Sequence, residues 1–161
     1  MLKIYFFAVL TLFISCSNNS QKKVKITAGT VQCDPGNYSL VSDSSKVAWL
    51  GTEITTKTHF GTLKAQNGIV SIDQNGNVTG DISIDMQSLT VDDLQGQSKK
   101  VLERHLKSDD FFGTELHSTA GLSFNSTNRF TDDGFQLFNG NLTIKGISNA
   151  VEFSAKLIKQ S

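Results

Sequence analysis

His59, His105 and His117, two cysteines, and the Ser, Asp and Glu residues around them are the first side chains to weigh for chemistry. The three histidines lack the spacing to Cys or carboxylates that a zinc site requires. The serines fall in turns and on the wet positions of strand-like stretches, with no strand–turn–helix nucleophile elbow. No glycine-rich phosphate loop is present, so a bound pyrophosphate would rely on Lys or Arg at a rim. These features point to binding rather than catalysis, with no metal and no cofactor. His59 shares strand parity with Gly61 and Leu63 and faces a cavity; with Asp85 it is placed to meet a ligand's polar end, although solvent-facing roles fit both residues equally well. His105 is expected on the inner face of a helix, in a core hydrogen bond. Glu103, Arg104, Lys107, Asp109 and Asp110 read as a solvated rim.

Cys16 carries a different chemistry. A positive start, Met1-Leu2-Lys3, leads into Ile4 to Ile14, an apolar run broken only by Thr11. A helix needs roughly 20 such residues to span a bilayer, so this run fits the apolar part of an export signal instead. It ends Phe13-Ile14-Ser15-Cys16, which resembles the lipobox of bacterial lipoproteins. In that class the signal is cut before the Cys, whose sulfur and amine are then acylated, and two or more chains anchor stably. The expected organisation is 1–15 signal peptide, 16–36 lipidated Cys16 and tether, and 37–161 domain. Ser17 after the Cys favours the outer membrane, facing the periplasm of a bacterial envelope. The alternative is an ordinary secretory signal with Cys16 unmodified. Cys33 is then left without an intrachain partner, and no disulfide framework exists.

The 161 residues leave room for one domain with a full core. Lys plus Arg equals Asp plus Glu at 15 each, and no basic stripe appears, which excludes nucleic acid as a partner. Eleven Phe against one Trp and two Tyr supply the aromatic mass, while thirteen Gly and one Pro suit turns between strands.

Most of the chain alternates with period two. Strands are expected at Tyr38–Val41, Lys46–Glu53, Thr58–Ala65, Gly68–Asp73, Val78–Met86 (extended through residues 88–92), His117–Ser126, Phe135–Lys145 and around Val151–Leu157. Turns are expected at Gln74-Asn75-Gly76-Asn77, Asp132-Asp133-Gly134 and Lys145 to Asn149, and a bulge at Gly140. One helix interrupts them, in the stretch Leu102–Phe112, its start capped by Ser98, its helical residues ending near Ser108-Asp109, and with Val101, Leu102, His105 and Leu106 on one face. Phe111 and Phe112 follow at its end. Helix and rings read equally well as a plug over a β-structure or as an ordinary core helix.

Eight antiparallel strands and one short helix over one end predict an all-β, eight-stranded closed barrel, whose interior is filled by side chains or holds one slender ligand. Its inward set is Trp49, Val78, Ile82, Ile84, Met86, Ala120, Leu122, Phe124, Leu142, Ile144, Val151, Phe153 and Leu157. That lining is apolar, so a ligand there is a hydrocarbon.

Five ordered pieces resemble the YceI-like family of exported bacterial proteins: Val47-Ala48-Trp49, His59-Phe60-Gly61-Thr62-Leu63, Ile84 to Leu89, His105 to Phe112 and Gly140 to Gly146. The resemblance covers about Tyr38 to Lys156 and implies a lipocalin-like barrel holding a polyisoprenoid chain, such as a prenyl pyrophosphate or quinone tail. Many relatives carry an aromatic-Pro pair where this chain has His117-Ser118. The expected ligand-binding residues are Trp49, His59, Ile82, Ile84, Met86, Leu106, Phe111, Phe112, Leu122, Phe124, Leu142, Ile144 and Phe153. The function they imply is sequestration or transport of an isoprenoid-type lipid by a protein held to the membrane through Cys16, with a homodimer compatible. The alternatives are an enzyme acting on a lipid in the pocket and an interaction module with a solid core.

Overall fold

In the computed structural model of the protein, residues 10–11, 33–52 and 57–157 are described. Cys16, most of the expected leader and the tether up to residue 32 lie outside them.

The alternating code builds β1 (Gly36–Ser39), β2 (Lys46–Thr52), β3 (Thr58–Ile72), β4 (Val78–Val91), β5 (Thr119–Phe130), β6 (Gln136–Ile144) and β7 (Ile147–Ala155), with α1 (Gly96–Lys107) between β4 and β5. From β2 to β7 each strand pairs antiparallel with the next, through short connections except between β4 and β5, where residues 92–118 with α1 intervene. β1 lies against the far half of β3, from Gly36↔Ile72 to Ser39↔Ile69. Outside the domain, the backbone of Leu10–Thr11 pairs with Val47 and Lys46 at the edge of β2.

The expected closed, eight-stranded barrel is not formed. The sheet is antiparallel throughout but open, with seven strands from the domain. Among the described residues β7 pairs only with β6, and the four-residue β1 is spent on β3, so no pair joins the last strand to the first.

Thr58–Ala65 and Gly68–Asp73, expected as two strands, are one. Register shifts between Thr62 and Lys64 and between Ala65 and Asn67 absorb the polar Gln66-Asn67 step as bulges. Leu63, Ala65, Val70 and Ile72 are thereby all kept buried. On β4 the alternation runs as read: Val78, Gly80, Ile82, Ile84 and Met86 are buried, while Thr79 and Asp81 are exposed. Gly140 makes no bulge; it pairs regularly with Phe124 and Val151. A Cβ there would stand 2.6 Å from the Ser123 carbonyl oxygen, so the position demands close approach rather than a kink. The turn after β6 is tighter than the five residues expected. It consists of Lys145 (φ 51°) and Gly146 (φ 74°), both left-handed as a type I′ hairpin requires.

The helix begins at Gly96, ahead of the expected Ser98 cap, and ends at Lys107, next to the end expected near Ser108-Asp109, with Phe111 and Phe112 in the turns after it as expected. Gln95, not Ser98, occupies the N-cap, without a side-chain bond. Leu106 is buried and Leu102 half-buried, but Val101 and His105 are exposed, against the face expected for them. Rotation of the helix is fixed instead by Glu103, whose Oε1 accepts the Val91 N–H at 2.9 Å. That half-buried carboxylate, expected at the solvated rim, instead satisfies the last amide of β4.

Candidate functional site

The inner face of the sheet is apolar because period two puts every Asp, Glu, Lys and Arg of β2 to β7 on the other side or at strand ends. Its coverage is uneven. On β2, β3 and β4, Val47, Trp49, Leu63, Ile82, Ile84, Met86 and Leu89 are buried in one core cluster with Leu106 of α1. On β6 and β7, Leu142, Ile144, Val151, Phe153 and Ala155 are only half-buried, and Ile147 is exposed. The result is a trough with a packed side and an open side.

One end of the trough is closed by rings. Phe124 meets Phe138 and Phe153 edge-on, each at 5.6 Å between centroids, and Phe138 stacks on Phe153 at 5.4 Å. At the other end lie α1 and the turns behind it. Phe111 packs edge-on against Phe112 at 4.7 Å and faces the His105 ring at 5.9 Å. Lys145, from the β6–β7 turn, donates its ammonium to the carbonyls of Asp109 (2.5 Å) and Phe111 (3.1 Å). The two phenylalanines are thus pinned to the mouth by a cation that sequence reading treated only as a turn residue.

The expected ligand residues therefore fall into two groups. Trp49, Ile82, Ile84, Met86, Leu106 and Phe124 are core, each below a tenth exposed. His59, Phe111, Phe112, Leu122, Leu142, Ile144 and Phe153 are half-buried and offer surface.

The polar constellation differs from the one expected. Asp85 sits between buried Ile84 and Met86 on the opposite face, where Oδ1 accepts the Gln87 N–H. His59 instead bonds Asp93: Nδ1 stands 2.7 Å from Asp93 Oδ2, and Asp93 Oδ1 accepts the Phe60 N–H at 3.1 Å. Partial desolvation raises the Asp93 carboxyl, but the bonds from the His59 ring and the Phe60 N–H outweigh it and hold it below the usual carboxylate range. A depressed folded value stabilises the fold above the unfolded carboxyl's pKa of about 3.9, and that contribution disappears as pH falls through the folded value. Asp93→Asn is accordingly expected to lose about 1–3 kcal/mol at pH 7. The deficit relative to the unsubstituted chain should shrink below about pH 4, read from urea midpoints across pH.

A groove of ≈ 770 Å³ runs along the outer face, lined by polar residues such as Thr79, Asp81, Ser83 and Ser123 together with Leu40 and Ile69, and reaching Ile82 and Leu122. Among the described residues no group of three or more His, Cys, Asp and Glu is arranged to hold a metal ion.

The model of the YceI-like domain matches residues 38–161, which take in the whole sheet from the end of β1 and the helix. The chain belongs to the YceI-like family. Among curated relatives it is similar to a UPF0312 protein of Ectopseudomonas mendocina (strain ymp), 30% identical over 100 residues, covering 62% of this chain and 49% of the relative. It is similar also to Protein YceI of Escherichia coli O17:K52:H18, 29% identical over 101 residues (63% and 50%), and of Shigella flexneri, 28% over 102 residues (63% and 50%). The match spans about half the length of these relatives. No solved structure matches. In this YceI-like chain the trough is built by the same stretches that carried the resemblance: His59 to Leu63 on β3, Ile84 to Leu89 on β4, His105 to Phe112 around the mouth, and Gly140 to Gly146 on β6 and its turn.

Proposed function

We propose that this protein is a non-enzymatic binder of an isoprenoid-type lipid, anchored through Cys16 in the bacterial envelope at the outer membrane and facing the periplasm. The observation that carries the reading is the uncharged inner face, left half-covered by Leu122, Leu142, Ile144 and Phe153. A polyprenyl or quinone tail laid on those side chains supplies the cover that the open side lacks. Transfer from water favours the trough by about 0.8 kcal/mol per CH₂. Transfer from a bilayer, equally apolar, gains almost nothing, so uptake and release stay reversible and the protein acts as a carrier rather than a trap. The head group remains at the mouth, near Lys145.

The test is extraction of the purified full chain with organic solvent and identification of the lipids by mass spectrometry. Prenyl lipids are expected at near-stoichiometric yield. Leu142→Asp puts a carboxylate on the half-exposed wall and should reduce bound lipid roughly 10- to 100-fold while leaving the fold in place. An empty chain, or equal occupancy in the variant, rejects the reading.

The His59–Asp93 pair favours one competing reading, an enzyme acting on the lipid with His59 as proton carrier. Chemical conversion of a prenyl lipid by the chain, lost in His59→Ala with lipid retention unchanged, selects it.

A further inference from the structure

Two aliphatic side chains stand out at the mouth. Leu116 is 82% exposed and Ile147 65%, the two highest values for large apolar residues among the described part of the chain. They belong to different elements brought against one another. Leu116 sits in the turn that the Leu116 and His117 N–H groups close on the Gly113 carbonyl. Ile147 opens β7 directly after the Lys145–Gly146 turn. The two segments are joined by the Lys145 ammonium on the Asp109 and Phe111 carbonyls, and they lie so close that a Cβ placed on Gly113 would stand 3.4 Å from Lys145 Cε, and one on Gly146 3.9 Å from the His117 ring. Each exposed aliphatic is thus one residue away from that contact. Ile147 also pairs with Ile144, whose half-buried side chain belongs to the trough.

Isolated exposed aliphatics are ordinary, but two of them on neighbouring turns, one of them beside the trough residue Ile144, are not. We propose that the 113–117 turn and the start of β7 form a membrane-docking tip that sets the mouth of the trough against a lipid bilayer. This rests on the lipid-carrier reading: a tail crosses from bilayer to protein without passing through water only if the mouth touches the bilayer. The charges around the tip decide what kind of bilayer contact it makes. Lys145 is held by the Asp109 and Phe111 carbonyls, and Lys107 and His117 are set against Asp109, Asp110 and Glu115. With no excess of cations, docking is by apolar insertion, independent of anionic lipid and weakly dependent on salt.

The test uses the full chain with Cys16→Ser and Cys33→Ser and a single new cysteine carrying an environment-sensitive fluorophore, in phosphatidylcholine vesicles. Labels at Leu116→Cys and Ile147→Cys are expected to shift to the blue and be shielded from an aqueous quencher, in low and high salt alike. A label at Asn75→Cys, in the turn at the opposite end, should stay accessible. Equal accessibility at all three positions overturns the proposal, and so does shielding of 116 and 147 without vesicles, which would mean a protein partner or a second copy. In the otherwise unsubstituted chain, Leu116→Asp, which lies outside the trough lining, should slow transfer of a fluorescent prenyl lipid between vesicles by roughly tenfold or more while leaving lipid held per chain unchanged; an unchanged transfer rate overturns the proposal. Immersed labels on a chain that holds no lipid would sink the carrier reading and leave the docking tip standing.

Discussion

Gly61→Ala is expected to destabilise the protein by at least the upper end of the roughly 1–3 kcal/mol typical of overpacking. An alanine Cβ at this position would stand 1.8 Å from the Thr90 carbonyl oxygen and 2.7 Å from Trp49 Nε1. Neither neighbour can give way cheaply. The Thr90 oxygen is backbone of the central strand β4, and it accepts the Trp49 indole N–H at 2.9 Å across the gap that Gly61 leaves. One methyl therefore separates β3 from β4 and strips a buried indole of its partner. Gly121→Ala is the control, since a Cβ there meets nothing within 4 Å. It should raise stability by about 0.4–1 kcal/mol, through the unfolded chain. Urea unfolding followed by Trp49 fluorescence and far-UV circular dichroism measures both. A Gly61→Ala midpoint equal to that of the unsubstituted chain would contradict the packing described.

What was legible in the chain was what period two encodes locally. The inward set from Trp49 through Ile82, Ile84 and Met86 to Leu122, Phe124 and Phe153 could be written down because each strand reports its own two faces. Closure could not, because it depends on whether β7 finds a partner more than a hundred residues away at β1 or β2, and no periodicity within a strand carries that information. The His59 partnership failed for the same reason. Asp85 was the acid expected beside His59 at a ligand's polar end, whereas the register Gly61↔Val91 carries the loop after β4 back to His59 and brings in Asp93, 34 positions away. In the helix, Val101 and His105 fit the spacing of an inner face as well as Leu102 and Leu106 do. The choice is made by Glu103, whose bond to the Val91 N–H no helical wheel can show. Lys145 was hidden by its neighbour: before Gly146 it reads as turn punctuation, and only the fold reveals that its ammonium holds the Phe111 turn.

Phe124→Ala is the second large effect, with an expected loss of about 3–5 kcal/mol. The Phe124 ring is 7% exposed and fills the angle between Phe138 and Phe153. It also lies so flat on β4 that a Cβ at Gly80 would come within 2.4 Å of its Cζ. Removing the ring opens space that the two remaining aromatics and a bare glycine cannot refill. Gly80→Ala should therefore be destabilising alone and much less so, or favourable, beside Phe124→Ala, a coupling that a double-mutant cycle reads directly. Against a typical total of 5–15 kcal/mol the single variant stays folded only near the margin, so lipid is best analysed in Phe124→Leu as well. Along β5 the ring stands four residues from Ala120, about 13 Å at strand spacing. If the tail of a bound lipid runs from the mouth down to these rings, the cluster is the floor that limits its length. Shortening Phe124 should then shift the lipids recovered from the chain toward longer tails. An unchanged length distribution, with the stability loss still present, would mean that the tail leaves over the open edge of β7 instead of ending at the phenylalanines.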